Sequence, residues 1–599
     1  MPPFTTRPVI MGSRGVVTSG HYLATAAGFR IMEQGGNAID AAAAMCFCIN
    51  LLEPHHNGIG GEVPTLIYSA VEKKPFAISG LGTAPQAMTI AWCREHGIDL
   101  IPGDGHLPAC VPAVVGTWAT ALARFGTMSY AQVLQPAIEL AREGFPLYDQ
   151  LHETLLANRE KFTERYPTTG RIYLPGGEVP EVGDRIRNPD WAHTLETMCR
   201  AEQETRGRGR VAGIEAACTA FYRGPIAERM VTFAQSHPLE DASGEEHRSL
   251  LTMEDLAAWQ ARVEEPASTT YRGHEVHKCS TWTQGPVFLQ QLNLLEGFDL
   301  AAMGHNRSDY LHTLIECSKL AFADREAYYG DPDFDDVPID VLLSKSYANR
   351  RRALVDDTAS LAMRPGDVGA GPPPFDTADV VADNRLAMQV APREIRDLGQ
   401  SHAHLGDTTH LDAADGQGNM VAATPSGGWL GTSPVIEGLG FPMGTRGQMF
   451  YLNPDRPNAL GPRKRPRATL TPTLVTRHGV PHMVFGTPGG DSQDQWTLQF
   501  YLNCVDFNMT LAEALDAPTV HSTHFPSSFY PRDAYPGQVI AEQRIPRETI
   551  AELQDRGHEI RTVGPWEHGK VMGIRFDPER RLLEGAASAK GGIGYALGW

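Results

Sequence analysis

A hydroxyl residue beside a cleavable bond can become a nucleophile that carries its own base, and Asp407-Thr408-Thr409-His410 offers one. An ordinary hydroxyl is a weak nucleophile and needs an adjacent base. If the Asp407–Thr408 bond is cut, Thr408 gains a free α-amine, which titrates near pH ~8 and can take the proton. Thr409 is the second candidate, and a Thr-Thr pair also reads as ordinary strand filler. Amide hydrolysis further needs donors for the developing oxyanion. Pro488-Gly489-Gly490 could supply backbone N–H groups, because glycine permits close approach and unusual dihedrals. The same run also reads as a tight turn. Asp491 and Asp494, beside these glycines, are candidates for holding a substrate amine.

The elements around these residues can be read from pattern. Strand-like Gly15-Val16-Val17-Thr18-Ser19 leads to a helix from about His21 to Gln34, stopped by Gly35-Gly36. Asn37 can cap the next helix, which runs to about Leu52. Thr252-Met253-Glu254-Asp255 has the spacing of a capping box, and Ser308 can cap a helix whose apolar face is Leu311, Leu314, Ile315 and Phe322. From about Pro365 to Gly406 the chain is Pro/Gly-rich and cannot hold a helix or a central strand. A connector this long inside a compact domain suggests a function, here presentation of the Asp407–Thr408 bond. After Thr408 the chain reads as strand, turn, strand, with turn chemistry in Asp415-Gly416 and Gly418-Asn419. The stretch Thr469–Phe485 is strand-like on either side of His478-Gly479. Leu511–Ala517 and Pro546–Arg556 read as helices. Strands and helices mix throughout, which favours an α+β or α/β class.

Several motifs fall in a recognisable order. Gly35-Gly36-Asn37-Ala38-Ile39-Asp40-Ala41-Ala42, Gly58-Ile59-Gly60-Gly61-Glu62, Leu320-Ala321-Phe322-Ala323-Asp324-Arg325 and Tyr329-Gly330-Asp331-Pro332 precede Thr408-Thr409-His410. Thr424-Pro425-Ser426-Gly427-Gly428, Lys464-Arg465-Pro466, Leu470-Thr471-Pro472-Thr473 and Gly486-Thr487-Pro488-Gly489-Gly490-Asp491 follow it. In this order and spacing, from about Gly15 to the C-terminus, the chain resembles the γ-glutamyltransferase family of N-terminal-nucleophile (Ntn) hydrolases. These are made as one inactive precursor that cuts itself.

The resemblance implies an α+β, four-layer αββα sandwich built from two segments, residues 1–407 and 408–599. It implies cleavage before Thr408, which would attack the Asp407 carbonyl by an N-to-O acyl shift and later the substrate carbonyl. It places oxyanion donors at Gly489 and Gly490. Ser426, eighteen residues after Thr408, falls where a hydroxyl orients the new α-amine. Thr469 matches one of two adjacent hydroxyl positions that touch the substrate's carboxylate, and the other is Ala468 here.

Departures narrow the substrate. The family's early arginine, which pairs with the γ-glutamyl α-carboxylate, falls on Ile90, and isoleucine cannot replace a bidentate guanidinium. A family asparagine two positions after Ser426 is Gly428 here. The segment that holds the glutamyl amine reads Thr445-Arg446-Gly447-Gln448-Met449-Phe450, which resembles acylase-like branches. Glutathione is therefore expected to be a poor substrate. Arg446 becomes the candidate partner for a substrate carboxylate. The expected reaction is hydrolysis of a small carboxylate-bearing amide, oxamate-like or glutaryl/cephalosporin-like, through an acyl-enzyme on Thr408, with transfer to an amine open. Arg463, Lys464, Arg465 and Arg467 read mostly as a solvated basic face, with Arg465 as a structural anchor.

Composition sets outer limits. Apolar residues make up 42%, ordinary for a soluble globular protein, and no run of about 18 apolar residues could span a membrane. A net charge of −19 disfavours nucleic acid and anionic lipid as partners. The N-terminus has no apolar stretch of signal-peptide type, so a cytoplasmic location is expected. The nine scattered cysteines show no CxxC pair and read as buried free thiols. No cofactor is implied. His402, His404 and His410 flank the cut site, but their spacing supports no metal. A homodimer or heterotetramer of processed chains stays open. Two rivals also stay open: a true γ-glutamyltransferase, and an uncut, non-catalytic binding protein of the same fold. A serine hydrolase is disfavoured by the lack of any G-x-S-x-G motif.

Overall fold

In the computed structural model, residues 4–369 and 407–599 are described. From residue 370 to 406 the expected connector, with His402 and His404, lies outside the described residues.

Strands apolar on both faces belong at the middle of a layered fold, and Gly15–Ser19, Leu411–Asp415 and Met420–Ala423 are buried along their whole lengths. They lie inside a seven-stranded antiparallel sheet. Its order is Tyr595–Gly598, Gly15–Ser19, Leu411–Asp415, Met420–Ala423, Thr65–Ser69, Lys74–Ile78, Val263–Glu264. A second seven-stranded antiparallel sheet runs Ile10–Gly12, Leu582–Ala587, Met572–Asp577, Val480–Gly486, Thr473–Arg477, His274–Lys278, Ala267–Tyr271.

Alternation along each strand sorts side chains into layers. Val16, Leu66, Ala414 and Ala422 face Leu474, Val484, Ile574 and Leu583 in the core between the sheets. Their neighbours Val17, Ile67, Ala413 and Val421 face outward, under the helices Tyr22–Glu33 and Ala38–Leu52. On the other side, Val475, Met483 and Phe485 lie under Pro286–Leu295, Ser308–Tyr328 and Gln493–Val505. The protein is an α+β sandwich in four layers, αββα. In both sheets, strands that follow residue 407 are hydrogen-bonded between strands that precede it, so a cut at that point leaves two interlocked pieces.

Local signals explain the boundaries. Asn37 caps Ala38–Leu52 in a reciprocal box with Asp40, and Thr252 does the same with Asp255 for Met253–Ala258. Ser308 is not a cap. It is the first residue of its helix, Arg307 takes the cap position, and the serine hydroxyl goes instead to Glu552. His478 and Gly479 both have positive φ, 52° and 75°, the backbone a two-residue hairpin loop demands. No described helix is long and apolar enough to cross a membrane, and all nine cysteines are free thiols.

Candidate active site

Thr408 lies at the entry to the strand Leu411–Asp415, inside the first sheet, and is 1% exposed. It is held by a bridge to Ser426 and by the Thr409 N–H on the Pro425 carbonyl at 3.1 Å. Neighbouring side chains on extended backbone point to opposite faces. Thr409 accordingly turns away and hydrogen-bonds Glu53, while a Cβ on Gly20 would sit 2.3 Å from the Thr409 hydroxyl. Two residues on, His410 bonds Thr424 and Asp412, each at 2.9 Å, and Thr18 donates to Asp412 at 2.9 Å. Burial pushes the Asp412 carboxyl up, against the opposing pull of His410. This buried chain of bonds fixes the strand that carries Thr408.

The Asp407–Thr408 peptide has specific surroundings. Ser426 Oγ donates to the Asp407 carbonyl oxygen at 3.0 Å, and Trp429 Nε1 donates to the same oxygen at 2.6 Å. Thr408 Oγ1 lies 3.1 Å from Ser426 Oγ, and Arg446 Nη2 donates to that Oγ at 2.7 Å. A hydroxyl has one hydrogen and two lone pairs. Ser426 spends its hydrogen on Asp407, so the Thr408 hydroxyl donates to Ser426. A proton leaving Thr408 therefore has Ser426 as its first acceptor, and the carbonyl that Thr408 would attack already has two oxyanion donors.

Gly489 donates its N–H to Asp407 Oδ1 at 3.0 Å. Its φ of 116° is in the left-handed region, and a Cβ there would stand 2.2 Å from the Trp496 ring. Only glycine fits both demands. Gly490, at φ 53°, starts the turn Gly490–Ser492 that leads into the helix Gln493–Val505, whose N-terminal end favours negative charge nearby.

Arg446 is 1% exposed and pairs through Nε with Glu62. Its guanidinium carbon lies 4.9 Å from the Trp429 ring centroid and 5.8 Å from that of Phe529. Burial pushes the Glu62 carboxyl up, opposed by the Arg446 charge. Glu62 also exchanges both backbone hydrogen bonds with Ser426, each 2.9 Å. The Glu62–Arg446 pair is thus the platform on which Ser426 stands.

The other expected residues fall as follows. Thr469 is fully buried, with its hydroxyl unpartnered among the described residues. Asp491, expected at a substrate amine, is already engaged: Arg325 pairs with it, and Ser528 donates to it from backbone and side chain at 2.8 and 2.7 Å. It anchors the glycine turn. Asp494 pairs with Lys278 at 2.9 Å, both fully buried. Ile90 packs with the apolar cluster containing Met88 and Phe450. Gly428 has φ 64°, and a Cβ there would meet the Gly61 nitrogen at 3.1 Å. The basic run is not a solvated face. Lys464, Arg465 and Arg467 are buried in ion pairs with Asp335, with Asp331 and Glu264, and with Glu326, and Arg463 alone is exposed. Among the described residues, no group of three metal-ligand side chains comes together. Trp429 and Glu62 went unassigned in the sequence. A charged residue closing a glycine loop was a usable signal for Glu62; an indole N–H leaves none.

One pair behind the turn gives a pH prediction. Arg325, which holds Asp491, also donates to Glu326 at 2.9 Å, and Glu326 accepts from Arg467 at 2.7 Å and from Tyr451 at 2.5 Å. Despite burial, the Arg467 and Arg325 charges bring the Glu326 carboxyl down from 4.5 to about 2. A depressed folded-state pKa contributes stability above the unfolded value, and this is lost as pH falls from about 4.5 to about 2. The contribution is on the order of 3 kcal/mol. In urea melts across this window, the wild type should lose more stability than Glu326→Gln; equal slopes would refute the coupling.

Residues 24–597 match the family model described as gamma-glutamyltranspeptidase. The chain belongs to the γ-glutamyltranspeptidase family. The glutathione hydrolase-like YwrD proenzyme of Bacillus subtilis (strain 168) is 30% identical over 98% of this chain and 99% of its own. The solved structure of LmbA2991HD superposes with a TM-score of 0.92 at 43% identity, covering 100% of both chains. Cephalosporin acylase from Bacillus halodurans superposes at 0.82 with 29% identity, over 100% of this chain and 98% of that one. The family member described here is an enzyme of the Ntn amidohydrolase type, acting on amide bonds.

Proposed function

We propose that this chain cuts itself between Asp407 and Thr408, and that Thr408 then hydrolyses a small amide bearing a carboxylate. The observation that carries the reading is the Asp407 carbonyl, held by Ser426 and Trp429 with the Thr408 hydroxyl bonded to Ser426. Thr408 Oγ1 attacks the Asp407 carbonyl carbon, its proton passing toward Ser426. The C–N bond breaks, the Thr408 nitrogen takes a proton, and an ester remains. Water hydrolyses that ester and frees the Asp407 carboxylate and the Thr408 α-amine. Departure of Asp407 also frees the Gly489 N–H for a substrate oxyanion. The freed amine then serves as the base, with Ser426 beside it, and turnover repeats the same chemistry on the substrate carbonyl.

Acylase chemistry is favoured over glutathione hydrolysis by two features. Ile90 lies in an apolar cluster, and the charge of Arg446 is spent on Glu62. A γ-glutamyl α-carboxylate and α-amine therefore lack the pair of opposite charges they require. The test compares p-nitroaniline release from glutaryl- and γ-glutamyl-p-nitroanilide. A kcat/KM at least ~10-fold higher for the glutaryl compound is expected, about 1.4 kcal/mol. Faster γ-glutamyl release would make the protein a γ-glutamyl hydrolase. A chain that stays uncut and inert to both would be a binding protein.

A further inference from the structure

The residues that grip the scissile peptide are buried, but one side of it is open to water. Thr408, Ser426, Trp429 and Arg446 are buried, whereas Asp407, Gly489, Gly490 and Phe529 are each partly exposed. A substrate that takes the place of Asp407 enters along this side. In the peptide, Asp407 is the acyl half and the Thr408 nitrogen is the leaving half. The position of Asp407 therefore marks where a substrate's acyl group lies. Its carbonyl accepts from Trp429 at 2.6 Å, and its carboxylate accepts from Gly489 at 3.0 Å.

Phe529 stands against both of these walls. Its ring centroid lies 6.1 Å from that of Trp429, with the two planes at 51°. A Cβ on Gly490 would come within 2.9 Å of the same ring. Among the described residues, none of the five apolar clusters of the core includes Phe529. The ring is nevertheless fixed. Ser528, before it, is bonded through backbone and side chain to Asp491, which adjoins Gly490. Tyr530, after it, donates its N–H to Gln448 Oε1 at 3.1 Å, and Gln448 belongs to the turn Arg446–Met449. Arg532 donates to the Gln448 and Phe450 carbonyls at 2.9 and 2.8 Å, and Arg325 donates to the Pro526 carbonyl at 3.0 Å. Phe529 is thus the middle of three residues whose flanks are fastened to opposite sides of the site. A rigid aromatic ring at the rim of a polar site supplies the apolar wall that a ligand packs against.

We propose that Phe529 is a specificity-determining residue that reads the acyl half of the substrate. Its ring packs against the methylene chain that joins the scissile carbonyl to the carboxylate, because a chain leaving the carbonyl position between Trp429 and Gly489 passes this ring. The inference rests on the reading that Thr408 hydrolyses a carboxylate-bearing amide, and it adds which half of that amide meets the protein's apolar wall.

Glutaryl-p-nitroanilide and glutaric monoamide share an acyl half and differ in the leaving half, so steady-state kinetics on the pair test it. Phe529→Ala should raise KM about 10-fold on both, with kcat changed less than ~3-fold, as loss of apolar contact with a short methylene chain predicts. Phe529→Tyr keeps the ring and should stay within ~3-fold of the wild type. Phe529→Leu, which fills the space without a ring, should raise KM on both substrates by less than Phe529→Ala does. A loss confined to the anilide would put the ring on the leaving amine, and an unchanged KM or a fall in kcat alone would make Phe529 part of the scaffold. Either outcome overturns the assignment. Intact mass, read in parallel, reports self-cleavage separately. If the wild type favours γ-glutamyl compounds, the acylase reading falls, and the same series on γ-glutamyl-p-nitroanilide and glutamine still decides the role of the ring. A chain inert to all four compounds has no acyl subsite, and the inference falls with it.

Discussion

A Thr408→Ala chain should remain a single polypeptide of 599 residues, while the wild type yields two pieces, the smaller beginning Thr-Thr-His. The variant has no replacement nucleophile. The adjacent Thr409 hydroxyl is turned to Glu53, and the Ser426 hydroxyl is occupied in donating to the very carbonyl under attack. Thr408→Ser keeps the hydroxyl and should still cut. Trp429→Phe keeps the ring and removes one of two donors on the scissile carbonyl. Losing one oxyanion donor costs about 2.7–4 kcal/mol, so cutting should slow by about 10²–10³-fold. Mass spectrometry over a time course after synthesis reads all three. Cleavage of Thr408→Ala at the same bond would end the case for Thr408, and wild-type speed in Trp429→Phe would remove the indole from the mechanism.

The parts of this site legible in the sequence are those governed by local grammar. Thr408, Ser426 and Gly489 come together because a strand, a turn and a glycine pair can be read from residues close in the chain, and motif order supplied the rest. The capping boxes at Asn37 and Thr252 were legible for the same reason. What stayed hidden was long-range pairing. The run Arg463-Lys464-Arg465-Pro466-Arg467 looks like a solvated face because its counter-charges, Asp331, Asp335, Glu264 and Glu326, lie far upstream. Arg446 looked free for a ligand because Glu62 stands 384 residues away. Asp491 looked free because Arg325 and Ser528 approach it only in the folded chain. Charge is visible in a sequence; whether it is already neutralised depends on tertiary contacts.

The Glu62–Arg446 pair is where that distinction has the largest energetic consequence. Both side chains are buried, at 3% and 1% exposure. Removing one partner of such a pair leaves an uncompensated charge in a low-dielectric site and costs about 3–5 kcal/mol. Glu62→Gln should therefore lower stability by about that amount in urea melts of the precursor, using Thr408→Ala as background so that cutting does not intervene. Arg446→Met alone should cost a similar amount by stranding Glu62. The double variant Glu62→Gln with Arg446→Met buries no net charge, so it should recover most of the loss, with a coupling energy well above the ~0.5 kcal/mol limit of additivity. Recovery of stability should not restore cutting. Without the Arg446 Nη2 donor, Ser426 loses the 2.7 Å contact that sets its hydroxyl between Thr408 and Asp407. In the Thr408-containing chain, the double variant should fold well and mature slowly. If it matures at wild-type speed, the pair serves the fold alone; if it stays as unstable as the single variants, charge burial is not what couples these two residues.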